Sequence, residues 1–127
     1  MVSVIIRNRN EGEHIGFAIQ SCIDHFKQPE IIIVDNNSTD DSLQIVNLFK
    51  DRTSIKVLHI NDYTPGKSIN LGVKHASNKR ILVLSAHSQI TTINIEMLNQ
   101  WFRNDYVAVF GNQTPVYKGK KITKCVM

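Results

Sequence analysis

Cysteine is nearly absent: Cys22 and Cys125 are the only two in 127 residues, and no CxxC spacing occurs. That argues against a disulfide framework or a thiolate zinc site, and it fits a reducing cytosol. No apolar run approaches the roughly 18–20 residues that span a bilayer. The first residues run directly into a β-branched stretch, with no basic segment and apolar core before it, so a secretory signal is not expected. Three glycine signatures are also missing: GxGxxG after the first strand, GxxxxGKS/T and GxSxG. Without them there is no support for a dinucleotide fingerprint, a P-loop or a serine nucleophile elbow. Beyond Asp105 there is no aspartate or glutamate.

What is present suffices for one domain with a real core: 42% of residues are hydrophobic. Net charge is +4, and Lys118, Lys120, Lys121 and Lys124 crowd the C-terminus. This basic tail reads either as a solvated end or as a peripheral contact with an anionic membrane surface or a phosphate-bearing substrate. No aromatics interleave with its lysines as a nucleic-acid surface would require, so nucleic acid is not an expected partner. The expected location is cytoplasmic, with membrane association as the alternative that the tail leaves open.

The pattern alternates strand and helix. Val2 to Ile6 and Ile31 to Val34 are short β-branched runs of the kind that fill strands buried on both faces. Between them Ile15, Ala18, Ile19, Cys22, Ile23 and Phe26 mark one face of a helix over about 13–26, which Pro29 ends. A second helix opens at the Ser38–Asp41 cluster and runs to about Lys50, with Asp40 and Asp41 suited to its N-terminus. Ile55 to Ile60 alternates, as a less buried strand does. Pro65-Gly66 is a turn, and a third helix is expected over 67–76 with Gly72 facing inward. Ile81 to Leu84 reads as a fully apolar strand, a fourth helix covers about 93–102, and Tyr106 to Phe110 reads as a last strand. The order βαβαβαβαβ predicts an α/β fold with a mostly parallel sheet flanked by helices.

Polar density gathers where three strands end, at residues 7–11, 35–41 and 85–88. In a parallel sheet these ends share the rim where ligands bind. At this point the residues resemble a family. Val-Ser-Val-Ile-Ile-Arg-Asn-Arg-Asn-Glu at 2–11 and Ile-Val-Asp-Asn-Asn-Ser-Thr-Asp-Asp-Ser at 33–42 resemble the first two strand ends of family 2 glycosyltransferases. Asn70-Leu71-Gly72, in a helix before an apolar strand, fits the same pattern. The resemblance covers about residues 2–115 and implies a GT-A-like, Rossmann-related domain. The implied function is binding of a pyrimidine nucleoside-diphosphate sugar (UDP-, TDP- or CDP-linked) for transfer to the hydroxyl of a glycan or lipid-linked acceptor, as in polysaccharide biosynthesis.

By the same resemblance, Arg7, Asn8, Arg9, Asn10 and Glu11 line one side of the nucleotide, and Asp35 with Asn36 the other. Read as residues alone, Asp35 and Asn36 also make a plain Asx-turn and helix cap, and Arg7 and Arg9 also make surface charge. Lys67 and Asn70 face either the diphosphate and ribose or solvent. The family places Asp-x-Asp at the fourth strand end to hold a divalent metal, Mn²⁺ or Mg²⁺. Here the residues are Ser85-Ala86-His87-Ser88. His87 is therefore a metal ligand, a hydrogen-bond donor to phosphate or a structural polar residue. Imidazole suits Mn²⁺ better than Mg²⁺, which prefers oxygen. The remaining histidines are expected on surfaces or in packing. No catalytic residue is assigned, because the family's catalytic base lies beyond the metal strand and no carboxylate follows Asp105. Residues 1–127 are accordingly expected to be a single GT-A-like domain truncated before the acceptor-binding half. A non-catalytic nucleotide- or glycan-binding module is the second reading. Nucleotidyltransferases need a glycine-rich loop after the first strand, and response regulators an acidic pair there, so both fit less well.

Overall fold

In a computed structural model of the chain, residues 1–117 and 120–121 are described, with side chains described through Val116. Lys118 and Lys124 lie outside the described residues, and only the backbone of Lys120 and Lys121 is described. The chain forms two compact units, Met1–Ile93 and Asn94–Met127.

The first unit holds strands β1 (Val2–Asn8), β2 (Glu30–Asp35), β3 (Ser54–His59) and β4 (Arg80–Ser85). Helices α1 (Ile15–His25), α2 (Ser42–Asn47) and α3 (Pro65–His75) connect them. All three strand pairings are parallel, in the order β3-β2-β1-β4. The β-branched runs of β1 and β2 occupy the two central places, where both faces are covered. Val4, Ile5, Ile6 and Ile31 through Val34 are fully buried.

Side-chain alternation divides the core in two. Val4, Ile6, Ile31 and Ile33 pack with Ile15, Ala18, Ile19 and Cys22 of α1 and Val46 of α2. Ile5, Ile32 and Val34 point the other way and pack with Leu71 of α3. Burial in the first cluster pushes the Cys22 thiol up to about 12, so it acts as a small core hydrophobe.

α3 starts two residues earlier than expected, with Pro65 and Gly66 in its first turn and not in a separate turn before it. Thr64 is the N-cap, its side chain accepting from the Lys67 amide at 3.1 Å, and Pro65 follows at the first helical position. Its apolar stripe is thin, and it seats through Gly72. A Cβ there would stand 2.6 Å from Cγ2 of Ile5. Gly72→Val is therefore expected to lower the unfolding free energy by about 2–3 kcal/mol in urea titration, through overpacking of α3 on β1. A variant as stable as the parent would show that α3 does not need this close approach.

β4 forms as expected, and it lies at the sheet's edge, where Val83 is 42% exposed. One strand expectation is corrected. No strand forms over 106–110, where Tyr106, Val107 and Phe110 are exposed. Their β-branched and aromatic composition is a weak preference that needs a partner strand to be expressed.

The second unit, by itself, contains α4 (Ile95–Arg103), capped by Asn94, which accepts from the Met97 amide at 2.9 Å. It also contains the antiparallel pair β5 (Val116–Tyr117) and β6 (Lys120–Lys121). Among the described residues no helix is long and apolar enough to cross a membrane.

Candidate functional site

Parallel register brings the polar strand ends into one row. Asn8 stands beside Asp35, Asp35 beside His59, and Arg7 beside Ser85. The chain winds outward from β1 to β3 and then returns to place β4 on the other side of β1. That reversal between β1 and β4 is the topological switch point, the usual ligand crevice of an open α/β sheet.

Alternation then sends neighbouring rim residues to opposite faces. Asn8 and Asp35 continue the rows Val4–Ile6 and Ile31–Ile33, so they fall on the α1/α2 side. There they form a sealed cluster. The Asn8 amide donates to Asp35 Oδ1 at 2.9 Å and to Ser42 Oγ at 2.9 Å. Ser38 donates to Asp35 twice, through its hydroxyl at 2.6 Å and its backbone N–H at 3.1 Å. Asp35 is 1% exposed, and its carboxylate is occupied by these contacts. It lies beneath the rim and supports it.

Asn10 and Asp40 clasp the two rim loops together. Asn10 sits at φ 51°, a left-handed conformation that asparagine tolerates better than most residues. Its Oδ1 accepts from the Thr39 amide at 2.7 Å, and its own N–H donates to Ser38 Oγ at 3.0 Å. Asp40 accepts from the Ser42 amide at 3.0 Å and from the Gly12 amide at 2.8 Å. Those bonds, the Ser42 contact first, hold its carboxyl below the usual range. Asp40 thus supplies the expected cap to α2, while Asp41, the residue at the cap position, makes no side-chain capping bond.

Arg7 continues the Ile5 row and so lies on the α3 side, as Ser85 does on β4. A crevice opens there, with a volume of about 250 Å³, lined by Arg7, Asn8, Arg9, Glu11, Asn36, Tyr63, Ser85 and His87. Arg7 donates through Nη1 to the Tyr63 hydroxyl at 3.3 Å. His87 Nδ1 lies 3.4 Å from the Glu11 carboxylate, and Ser85 Oγ lies 3.4 Å from the same nitrogen. Two buried polar atoms at this rim have no protein partner, Arg7 Nε and Asn8 Oδ1.

Six residues expected from sequence therefore line one crevice: Arg7, Asn8, Arg9, Glu11, Asn36 and His87. Four do not. Asp35 is buried below it, and Asn10 serves the loop clasp. Lys67 Nζ contacts Asp62 Oδ2 at 2.5 Å, and Asn70 is exposed on α3. Tyr63 and Ser85 were missed. Tyr63 is a lone aromatic in the polar loop ahead of α3, which was the available signal; Ser85 required the β1–β4 register.

The resemblance implies a divalent metal at the fourth strand end. His87 faces one carboxylate, Glu11, and no group of three His, Cys, Asp or Glu side chains comes together among the described residues. One imidazole and one carboxylate, turned toward each other, are an incomplete donor set for Mn²⁺ and a poorer one for Mg²⁺, so these residues do not make a metal site by themselves.

Comparison with known proteins agrees with this geometry. A family model described as "Glycosyl transferase family 2" matches residues 3–124. A Campylobacter jejuni GalNAc(5)-diNAcBac-PP-undecaprenol beta-1,3-glucosyltransferase is 33% identical over 115 residues, 87% of this chain and 37% of the relative. The chain thus spans little more than a third of that relative's length. The crystal structure of residues 1–349 of Staphylococcus aureus TarS in complex with UDP is similar, with a TM-score of 0.71 at 25% identity over 81% of this chain and 32% of that one. A Pyrobaculum calidifontis mannosyltransferase in complex with GDP-Man and Mn²⁺ shares the fold, with a TM-score of 0.65 at 17% identity over 72% of this chain and 28% of that one. Parallel β-strands wound about β1, a polar crevice at the β1–β4 switch point and a family match over nearly the whole sequence lead to one assignment: the chain belongs to glycosyl transferase family 2.

Proposed function

We propose that this chain is the donor-binding part of a family 2 glycosyltransferase, and that its ligand is a pyrimidine nucleoside-diphosphate sugar. The observation that carries this reading is the crevice at the β1–β4 switch point. It sets Asn36 beside Arg7 and Arg9. An amide both donates and accepts, which suits the edge of a pyrimidine, and guanidinium groups suit phosphates.

The full reaction would pass the sugar to an acceptor hydroxyl by direct displacement, with a carboxylate base taking the hydroxyl proton. A glycan or lipid-linked acceptor fits that scheme and polysaccharide biosynthesis as its setting. The one carboxylate lining the crevice, Glu11, faces His87, and no carboxylate follows Asp105. We therefore propose that residues 1–127 form a GT-A-like donor-binding domain that binds nucleotide but transfers little or no sugar alone. The same observation favours a second reading, a binding module that never turns its ligand over. Measuring nucleotide-sugar hydrolysis with and without Mn²⁺ separates the two.

The direct test is a thermal-shift panel with UDP, TDP, CDP and GDP. The expected result is an upward shift with at least one pyrimidine diphosphate and a smaller one with GDP. No shift with any pyrimidine diphosphate would overturn the reading, and robust sugar transfer by the purified chain would overturn the proposal that it transfers little or no sugar alone.

A further inference from the structure

The crevice carries a charge arrangement that says how a diphosphate is held, an inference that rests on the nucleotide reading above. Arg7 and Arg9 both line it, and among the described residues no carboxylate pairs with either guanidinium. Arg7 is half-buried, and its Nε is shut off from solvent without a partner. Among the described residues its one hydrogen bond, from Nη1, goes to the Tyr63 hydroxyl, so the outer guanidinium nitrogens keep donors for an anion. Glu11 is the sole acidic residue in the lining, and its carboxylate is 3.4 Å from His87 Nδ1. The position that the resemblance would give to a metal ligand is thus taken up by a histidine–glutamate pair.

Tyr63 extends the arrangement. Its hydroxyl accepts from Arg7 Nη1 at 3.3 Å. A hydroxyl that accepts one bond keeps its own proton to donate, and here that proton is free for a phosphate oxygen. The loop carrying Tyr63 is fixed at its far end by the Thr64 cap of α3, so the hydroxyl is placed before any ligand binds. Two guanidinium groups and one phenol supply both the charge and the planar fork that a pair of phosphates needs.

We propose that Arg7, Arg9 and the Tyr63 hydroxyl grip the diphosphate directly, so that this chain binds its nucleotide without a divalent metal. The work of neutralising the phosphates falls to side chains on the β1 end and the β3–α3 loop. It does not fall to ions held at the β4 end.

Calorimetric titration of the full chain tests this with UDP, uridine and inorganic pyrophosphate, each in EDTA and in Mn²⁺. UDP affinity is expected to agree within about threefold between EDTA and Mn²⁺. Pyrophosphate is expected to compete with UDP in EDTA. Arg7→Lys keeps the charge but loses the fork, and should weaken UDP by about tenfold or more while leaving uridine unchanged. Tyr63→Phe, at an exposed position where folding is not at stake, should weaken UDP by about threefold or more. UDP binding that requires Mn²⁺ overturns the proposal, as does parental affinity in both variants. Equal binding of uridine and UDP in EDTA overturns the diphosphate grip and leaves the nucleotide reading standing. Binding of none of the three probes in either condition overturns both.

Discussion

Asp35→Ala should abolish the thermal shift given by a pyrimidine nucleoside diphosphate, and it should also lower the stability of the unliganded chain by about 2–4 kcal/mol. The two effects have one cause. The Asp35 carboxylate is buried and accepts from the Asn8 amide, the Ser38 hydroxyl and the Ser38 backbone N–H. Removing it strips those donors of their acceptor and leaves a void under the rim. Ser38 then loses the anchor that lets its hydroxyl accept from the Asn10 amide, and the clasp between the two rim loops loosens. Asn8 and Asn36 are displaced as a result, although Asp35 lines no part of the crevice. Melting curves with and without nucleotide separate the possibilities. A lost shift with an unchanged unliganded melting temperature would mean that Asp35 touches the ligand, against the support role described here. A retained shift would mean that the rim does not depend on this cluster at all.

The sequence carried the fold well because its central strands are nearly pure β-branched runs. Such runs are the pattern of strands covered on both faces, and β1 and β2 take the middle of the sheet. β3, read as less buried from its alternation, lies at an edge. β4 forms where its apolar run lies, but the run does not tell that it is an edge strand, because it carries the same signal whether or not a neighbour covers it. Residues 106–110 misled for a related reason: β propensity describes fitness for a sheet, and it does not supply the sheet. At the site, the polar loops were legible as loops, and six of their residues do meet. What could not be read was the division of the rim by alternation. Asp35 and Asn36 are adjacent in sequence, yet one props the rim from beneath and the other faces the crevice. Nor could the pairing of Glu11 with His87 be read, because it joins the β1–α1 loop to the end of β4 across most of the chain.

At the opposite end of the sheet, Glu30 should account for the largest single loss of stability. Ser3 Oγ donates to its Oε2 at 2.5 Å, and Lys56 Nζ to its Oε1 at 2.8 Å. The Ser77 backbone N–H and hydroxyl donate to it as well, each at 2.8 Å. Ser3 in turn accepts from the Asn78 backbone and side-chain nitrogens at 3.1 Å. One carboxylate at 7% exposure thereby ties β1, β2, β3 and the α3–β4 turn together. Burial alone would raise its pKa, but the bonds from Lys56, Ser3 and Ser77 outweigh that and lower it from 4.5 to about 2. A carboxylate with a depressed folded pKa stabilises fully above its unfolded pKa, and the contribution is lost as pH falls through the folded one. The window here is therefore about pH 4.5 down to about 2. The shift converts to about 3 kcal/mol at most, and solvent at the half-exposed Lys56 end trims this to about 1–2 kcal/mol. Glu30→Ala goes further, since it also orphans the buried Ser3 hydroxyl and unties the Ser77 turn, and should cost about 3–5 kcal/mol at neutral pH. Glu30→Gln keeps an acceptor but cannot titrate. Urea unfolding across pH 7 to 3 should show the gap between the parent and Glu30→Gln narrowing as the pH falls. A gap that stays constant would mean that the Glu30 charge contributes nothing, and that its hydrogen bonds alone hold this end of the sheet.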